Sequence, residues 1–229
     1  MLRLSGTTSF ALVFALALCA NPLFGQGQGV LQPDVDLIAN SGPFEFDGSG
    51  PGMDLGRSSV LDVSGGDFTI HAWVRLASLI NGGPCYGAQC DMAIAEEISG
   101  EYNSSGWRML KWSDGHFYFC LGGGSANGCD ASASTTVISE TVAVTDVWYS
   151  VSGVKTADHI SIYVNGVLED TKVQGEYFDA SDAPFLVGSN RSEHSFLVGE
   201  VGQVQLYRSA LSAPLVRATF ERSKARYGK

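Results

Sequence analysis

The sequence predicts an all-β fold, with strands in two layers around one core, as a sandwich or a barrel. Three observations carry this. The dominant hydrophobic period is two, turn signals recur at short spacing, and glycine is in excess at 28 of 229 residues, above the usual ~7%. A hydrophobic content of 45% with 17% charged residues excludes a disordered chain and supplies a core.

In chain order, the first strand candidate is 44–47. Over 68–76, positions 68, 70, 72, 74 and 76 are apolar, while Thr69, His71, Trp73 and Arg75 share the other face. That is a strand with one face on a core. Residues 92–98 follow. Segments 108–112 and 116–120 flank Ser113-Asp114-Gly115 as a hairpin, and 136–142 and 147–155 are further strands. Segments 159–164 and 167–171 flank Asn165-Gly166, the strongest short hairpin signal. Residues 184–188 and 197–208 complete the set. One short helix is expected near the end, with Ser212 as cap, Pro214 in its first turn, and Leu215, Val216, Thr219 and Phe220 following. No linker divides 30–221, which reads as one domain. Residues 222–229 carry Arg222, Lys224, Arg226 and Lys229 and read as a solvated basic tail.

Residues 1–25 stand outside this pattern. Arg3 precedes an apolar run of 11 residues, 10–20, with small residues at Ala20, Gly25 and Gly27. This is the form of a secretory signal peptide, cleaved somewhere in 20–27, and the run is shorter than the roughly 18 residues a membrane span needs. Cys19 follows Leu18, which is not the small residue a lipoprotein signal places there. The expected product is secreted, or periplasmic in a Gram-negative cell. The net charge of -10 leaves no basic face for nucleic-acid phosphates.

Of the cysteines, Cys85, Cys90, Cys120 and Cys129 remain after the leader. An even count in an exported chain points to two disulfides. Three connectivities exist, and the local one, Cys85 with Cys90 and Cys120 with Cys129, is the expectation. The spacings are not those of a zinc site. Asn103 and Asn190 begin glycosylation sequons, relevant if the source is eukaryotic.

Seven segments, in order, resemble the laminin-G-like jelly roll of the concanavalin A-like lectin/glucanase superfamily. They are Phe44-Glu45-Phe46-Asp47-Gly48, the strand 67–74, the hairpin 112–119, the strand 147–154, Ile162-Tyr163-Val164-Asn165-Gly166, Pro184-Phe185-Leu186-Val187-Gly188, and 199–212. The resemblance implies a two-sheet antiparallel jelly-roll sandwich over about 170 residues. It departs at Gly202, where the family usually carries Asp. A structural calcium ion is therefore not carried over at that position. Asp47 and Glu200 are the carboxylates nearest to a substitute, and a hard cation needs about six oxygens.

The chemistry reads as binding rather than catalysis. The closest approach to a glucanase Glu-x-Asp-x-x-Glu motif is Glu96, Glu97 and Glu101, which lacks the central Asp and reads as a solvated edge or loop. No nucleophile elbow or zinc-protease motif occurs, and His71, His116, His159 and His194 are dispersed. The candidate ligand residues are His71, Trp73 and Arg75, with Trp73 as a platform for a sugar ring if its face is open. If that face is covered, Trp73 is a packing residue. Trp148 reads as core, and Trp107 and Trp112 as undecided. The loops 81–91 and 122–134, stapled by the cysteines, suit either presentation of a binding surface or simple protection from extracellular proteolysis. No organic cofactor is implied. The expected partner is a glycan, with an extracellular protein second and a diverged glycosidase third.

Overall fold

The computed structural model describes residues 35–39, 42–59, 61–63, 66–83, 90–99, 105–122, 129–174, 183–191 and 194–229. The expected leader, Cys85, Glu101 and Asn103 lie outside them. Strands among the described residues are β1 (Val35–Ala39), β2 (Phe44–Asp47), β3 (Met53–Asp54), β4 (Phe68–Leu76), β5 (Met92–Ile98), β6 (Gly106–Lys111), β7 (His116–Gly122), β8 (Thr136–Val142), β9 (Trp148–Lys155), β10 (His159–Val164), β11 (Val167–Val173), β12 (Leu186–Val187) and β13 (Val198–Tyr207). A helix, α1 (Ala213–Ser223), runs into a 3-10 turn, Lys224–Tyr227.

Two antiparallel sheets form the sandwich. One has seven strands in the order β1-β13-β4-β9-β10-β11, with β2 also pairing to β13. The other has six, in the order β3-β12-β5-β6-β7-β8. Neighbours distant in sequence lie side by side, as a jelly roll requires. The turns follow local chemistry. Asn165 and Gly166 both take left-handed φ values, 52° and 77°, the geometry whose twist matches a two-residue hairpin. Asp114 accepts the His116 N–H at 2.9 Å and closes the β6–β7 turn.

The core lies between the inner faces. Phe68 of β4 meets Trp107 and Phe119 of the opposite sheet, each at 6.0 Å between ring centroids. At Gly153 of β9, a Cβ would stand 2.5 Å from the Phe119 ring, so the sheets approach closely only because the residue is glycine. The edges of the sheets are stitched together on one side. Glu169 of β11 accepts the Thr141 N–H at 2.8 Å, and Asp170 accepts the Ile138 N–H at 3.0 Å. Side-chain oxygens thus satisfy N–H groups of the edge strand β8 that no further strand pairs.

Three expectations need correction. Glu96 and Glu97 are not a solvated edge: both are buried within β5. Trp148 is not core, being only half-buried. Residues 222–229 are not simply a solvated tail, because the 3-10 turn returns Tyr227 to the sheet, where it is buried. Burial also resolves two ambiguities, with Trp107 in the core and Trp112 half-buried at 5.4 Å from Tyr118.

Candidate functional site

The alternation of β4 sends Thr69, His71, Trp73 and Arg75 to the outer face of the seven-stranded sheet, since 68, 70, 72, 74 and 76 are in the core. The structure therefore brings the three sequence-predicted ligand residues onto one face, and then divides them. α1 and its 3-10 turn cover His71 and Trp73 and leave Arg75 at the margin.

Trp73 is fully buried. It stacks with Tyr227 at 4.3 Å and 19°, and with Phe220 at 5.7 Å and 24°. Its indole N–H donates to Ser223 Oγ at 2.9 Å. In this arrangement Trp73 packs against the covering segment and offers no ring face to solvent. His71 is buried beside it, with Nδ1 2.9 Å from Ser152 Oγ. Burial, reinforced by Arg222, pushes the His71 pKa down to about 3, so the ring is neutral near pH 7.

Beyond the covered area lies an open row. Register places Glu45 of β2 opposite Glu200 of β13, Glu200 opposite Arg75 of β4, and Arg75 opposite Trp148 of β9. Directly opposed residues share a face, so an acid, an acid, a guanidinium and an indole stand in line across four strands. Arg75 forms an ion pair with Glu200, and its guanidinium lies 5.7 Å from the Trp148 ring centroid. Glu45 is exposed, and Arg75 and Trp148 are half-exposed. At the β2 end the row opens into a cleft of about 800 Å³, lined among others by Phe44, Glu45, Asp47, Met53 and Glu200.

The acids of β5 do something else. Glu96 pairs with Arg108 at 2.9 Å and accepts the Arg191 N–H at 2.8 Å. Burial pushes its carboxyl pKa up, against the pull of the guanidinium. Glu97 accepts the Trp107 indole N–H at 3.2 Å, and burial pushes its pKa up to about 7. Arg108 is on the outer face of its strand and Trp107 in the core, so the two carboxylates have partners on opposite sides of the sheet.

Among the described residues, no three His, Cys, Asp or Glu side chains come together to hold a metal. Asp47 Oδ1 is occupied by the Ser49 N–H and hydroxyl, and Glu200 by Arg75. Cys120 and Cys129 form a disulfide as expected. Cys90 is also disulfide-bonded, while Cys85 lies outside the described residues. Asn190 is buried and its Oδ1 accepts the N–H groups of His194 and Ser195, so in the folded chain it holds a loop instead of presenting an acceptor amide.

Sequence reasoning missed Trp148, Phe220 and Tyr227. One signal was available for the last two. Val216, Phe220, Ser223 and Tyr227 fall at helical spacing, a stripe that continues past the expected helix into the tail.

A family model described as concanavalin A-like lectin/glucanases superfamily, of laminin G type, matches residues 47–217. Solved structures share the fold at low identity. The botulinum neurotoxin serotype G binding domain aligns with TM-score 0.51 and 15% identity, over 74% of this chain and 40% of that one. The binding domain of Paraclostridial Mosquitocidal Protein 1 gives 0.52 and 15%, over 83% and 47%. A mutant of HCR/D gives 0.59 and 14%, over 83% and 45%. The match thus spans less than half of each of these solved chains. No curated protein matches the chain.

Proposed function

The chain belongs to the concanavalin A-like lectin/glucanase superfamily, and from that membership we propose that it is a secreted, non-catalytic binding module whose ligand is a glycan. The observation that carries the reading is the open row Glu45–Glu200–Arg75–Trp148 beside the cleft. The C–H face of a pyranose packs on an indole, and its hydroxyls take hydrogen bonds from a guanidinium and give them to carboxylates. A concave site with a few convergent polar groups is the usual form of a small-ligand site. The botulinum neurotoxin serotype G chain and the Paraclostridial Mosquitocidal Protein 1 chain are both binding domains, which agrees with a binding role.

Glycoside hydrolysis needs two carboxylates flanking one bond, about 5–9 Å apart. Glu96 and Glu97 have partners on opposite sides of their sheet, and Glu200 is tied to Arg75. Secretion rests on the leader-like residues 1–25 and on the disulfide chemistry. A protein partner is the second reading, favoured by the exposed Val167, Leu168 and Val173 on the edge strand β11.

The test is a glycan array probed with the disulfide-intact chain, in calcium and in chelator. Saturable binding to one glycan class is expected, falling roughly tenfold or more in Trp148→Ala, the range of a buried aromatic contact. Absence of binding in both conditions overturns the glycan reading and favours the protein partner.

A further inference from the structure

The covered part of the face, like the open row, sets an indole beside polar side chains: Trp73 stands next to His71, and Gln205 is opposite His71. We propose that the C-terminal segment is a displaceable self-ligand, and that Tyr227 occupies a second, concealed saccharide subsite on Trp73. The proposal rests on the glycan reading above and extends it to a site that the folded chain fills with its own side chain.

The socket around Tyr227 is specific. Its ring lies flat on Trp73 at 4.3 Å and tilted against Trp148 at 4.8 Å. Its hydroxyl accepts the backbone N–H of Gln203 at 2.8 Å. A Cβ at Gly202 would stand 2.5 Å from that hydroxyl, so the ring fills the space a side chain at 202 would take. Gly202 is the position at which the sequence departs from the family pattern, and the departure is what makes room for Tyr227. A flat ring bearing a hydroxyl, stacked on an indole and held by a backbone donor, makes the contacts that a pyranose makes in such a site.

The surface beneath the cover mixes apolar packing with two orphaned polar groups: Val154, Tyr163 and Tyr207 meet Val216 and Leu211, and Trp73 meets Phe220 and Tyr227. His71 and Gln205 are register neighbours on β4 and β13, 1% and 8% exposed. Neither His71 Nε2 nor Gln205 Oε1 has a hydrogen-bond partner. Buried polar groups are normally satisfied, so two unpaired ones on register neighbours call for an explanation, and a polar ligand supplies one.

α1 is lightly fastened at its own start, while the far end of the segment is held by Trp73 on Ser223, Gln203 on Tyr227 and Arg226 on the Gly42 carbonyl. Ser212 makes no side-chain capping hydrogen bond, the first turn of α1 holds no acid, and only Val216 and Thr219 of the helix are buried. Helices this short have little stability of their own. Val216 and Leu211 anchor the first turn against Tyr207, Tyr163 and Val154. The far end, carrying Phe220 and Tyr227, lies on Trp73, and displacing it breaks those three hydrogen bonds, which the contacts of a ligand would replace.

The test applies Tyr227→Ala and Gly202→Ala chains to the same glycan array as the natural chain. The first removes the plug. The second pushes it out from the sheet side and leaves both indoles intact. Both are expected to bind the same glycan class roughly tenfold more tightly, and adding Trp73→Ala to Tyr227→Ala should remove the gain. Equal binding by all three chains overturns this proposal and leaves the open-row reading standing. No binding by any chain overturns both.

Discussion

Glu97 sets a slope in the pH dependence of stability that one substitution should erase. Its carboxyl is 6% exposed and held at about pH 7 by burial, with Asp62 adding repulsion and only the Trp107 N–H in opposition. An acid whose folded pKa is raised binds its proton more tightly folded than unfolded. Its contribution is therefore fully present below the unfolded pKa of 4.5 and is lost as pH rises to about 7. A shift of that size corresponds to about 3 kcal/mol at ~1.4 kcal/mol per unit. Glu97→Gln keeps an oxygen for the Trp107 N–H and carries no charge at any pH. The variant should match the natural chain near pH 4 and exceed it by up to about 3 kcal/mol at pH 8. The assay is urea unfolding of both chains at several pH values from 4 to 8, read as the difference between them. Taking the difference cancels the opposite slope of His71, whose folded pKa is lowered to about 3 and which costs stability as pH falls below its usual 6.5. A difference that stays flat across pH 4.5–7, or a variant less stable at pH 8, would refute the assignment of a buried proton to Glu97.

Two further outcomes follow from packing. Arg108→Met leaves Glu96 buried without its counter-ion and should cost about 3–5 kcal/mol, whereas the double change with Glu96→Gln should recover much of that; thermal unfolding of the three chains decides it. Asp170→Ala strips the Ile138 N–H of its acceptor on the β8 edge and should cost about 1–3 kcal/mol, with increased self-association by light scattering because a free edge can recruit another strand.

The fold was legible because its signals are local. Alternation fixed the two faces of β4, and Asn165-Gly166 fixed a hairpin whose left-handed geometry few other residue pairs adopt. The strands that escaped notice, β1 and β3, are five and two residues long, and their pairing is supplied by β13 and β12 from far along the chain. Glu96 and Glu97 were misread for a related reason. Adjacent acids suggest solvent, but Arg108 sits opposite Glu96 and Trp107 opposite Glu97 in the register, and only strand pairing reveals that each has a partner.

Of the three candidates His71, Trp73 and Arg75, only Arg75 stands in the open row; the other two lie buried on the same face. Period two brought His71, Trp73 and Arg75 to one face, which is correct, and the choice between an open platform and a packed residue was correctly posed for Trp73. What decides that choice is the position of a helix encoded some 140 residues later, since Ser223 takes the Trp73 indole N–H across a separation of 150 residues. The same long-range placement explains Trp148. On β9 alone it reads as core, yet it stands at the end of its strand, where Arg75, Tyr227 and the solvent share it. Arg75 and Trp148 keep their contact with solvent at the margin, while under the C-terminal segment Trp73 packs on Phe220 and Tyr227, and Val216 and Leu211 pack on Val154, Tyr163 and Tyr207. What packing leaves unexplained under that cover is His71 Nε2 and Gln205 Oε1, which have no hydrogen-bond partner.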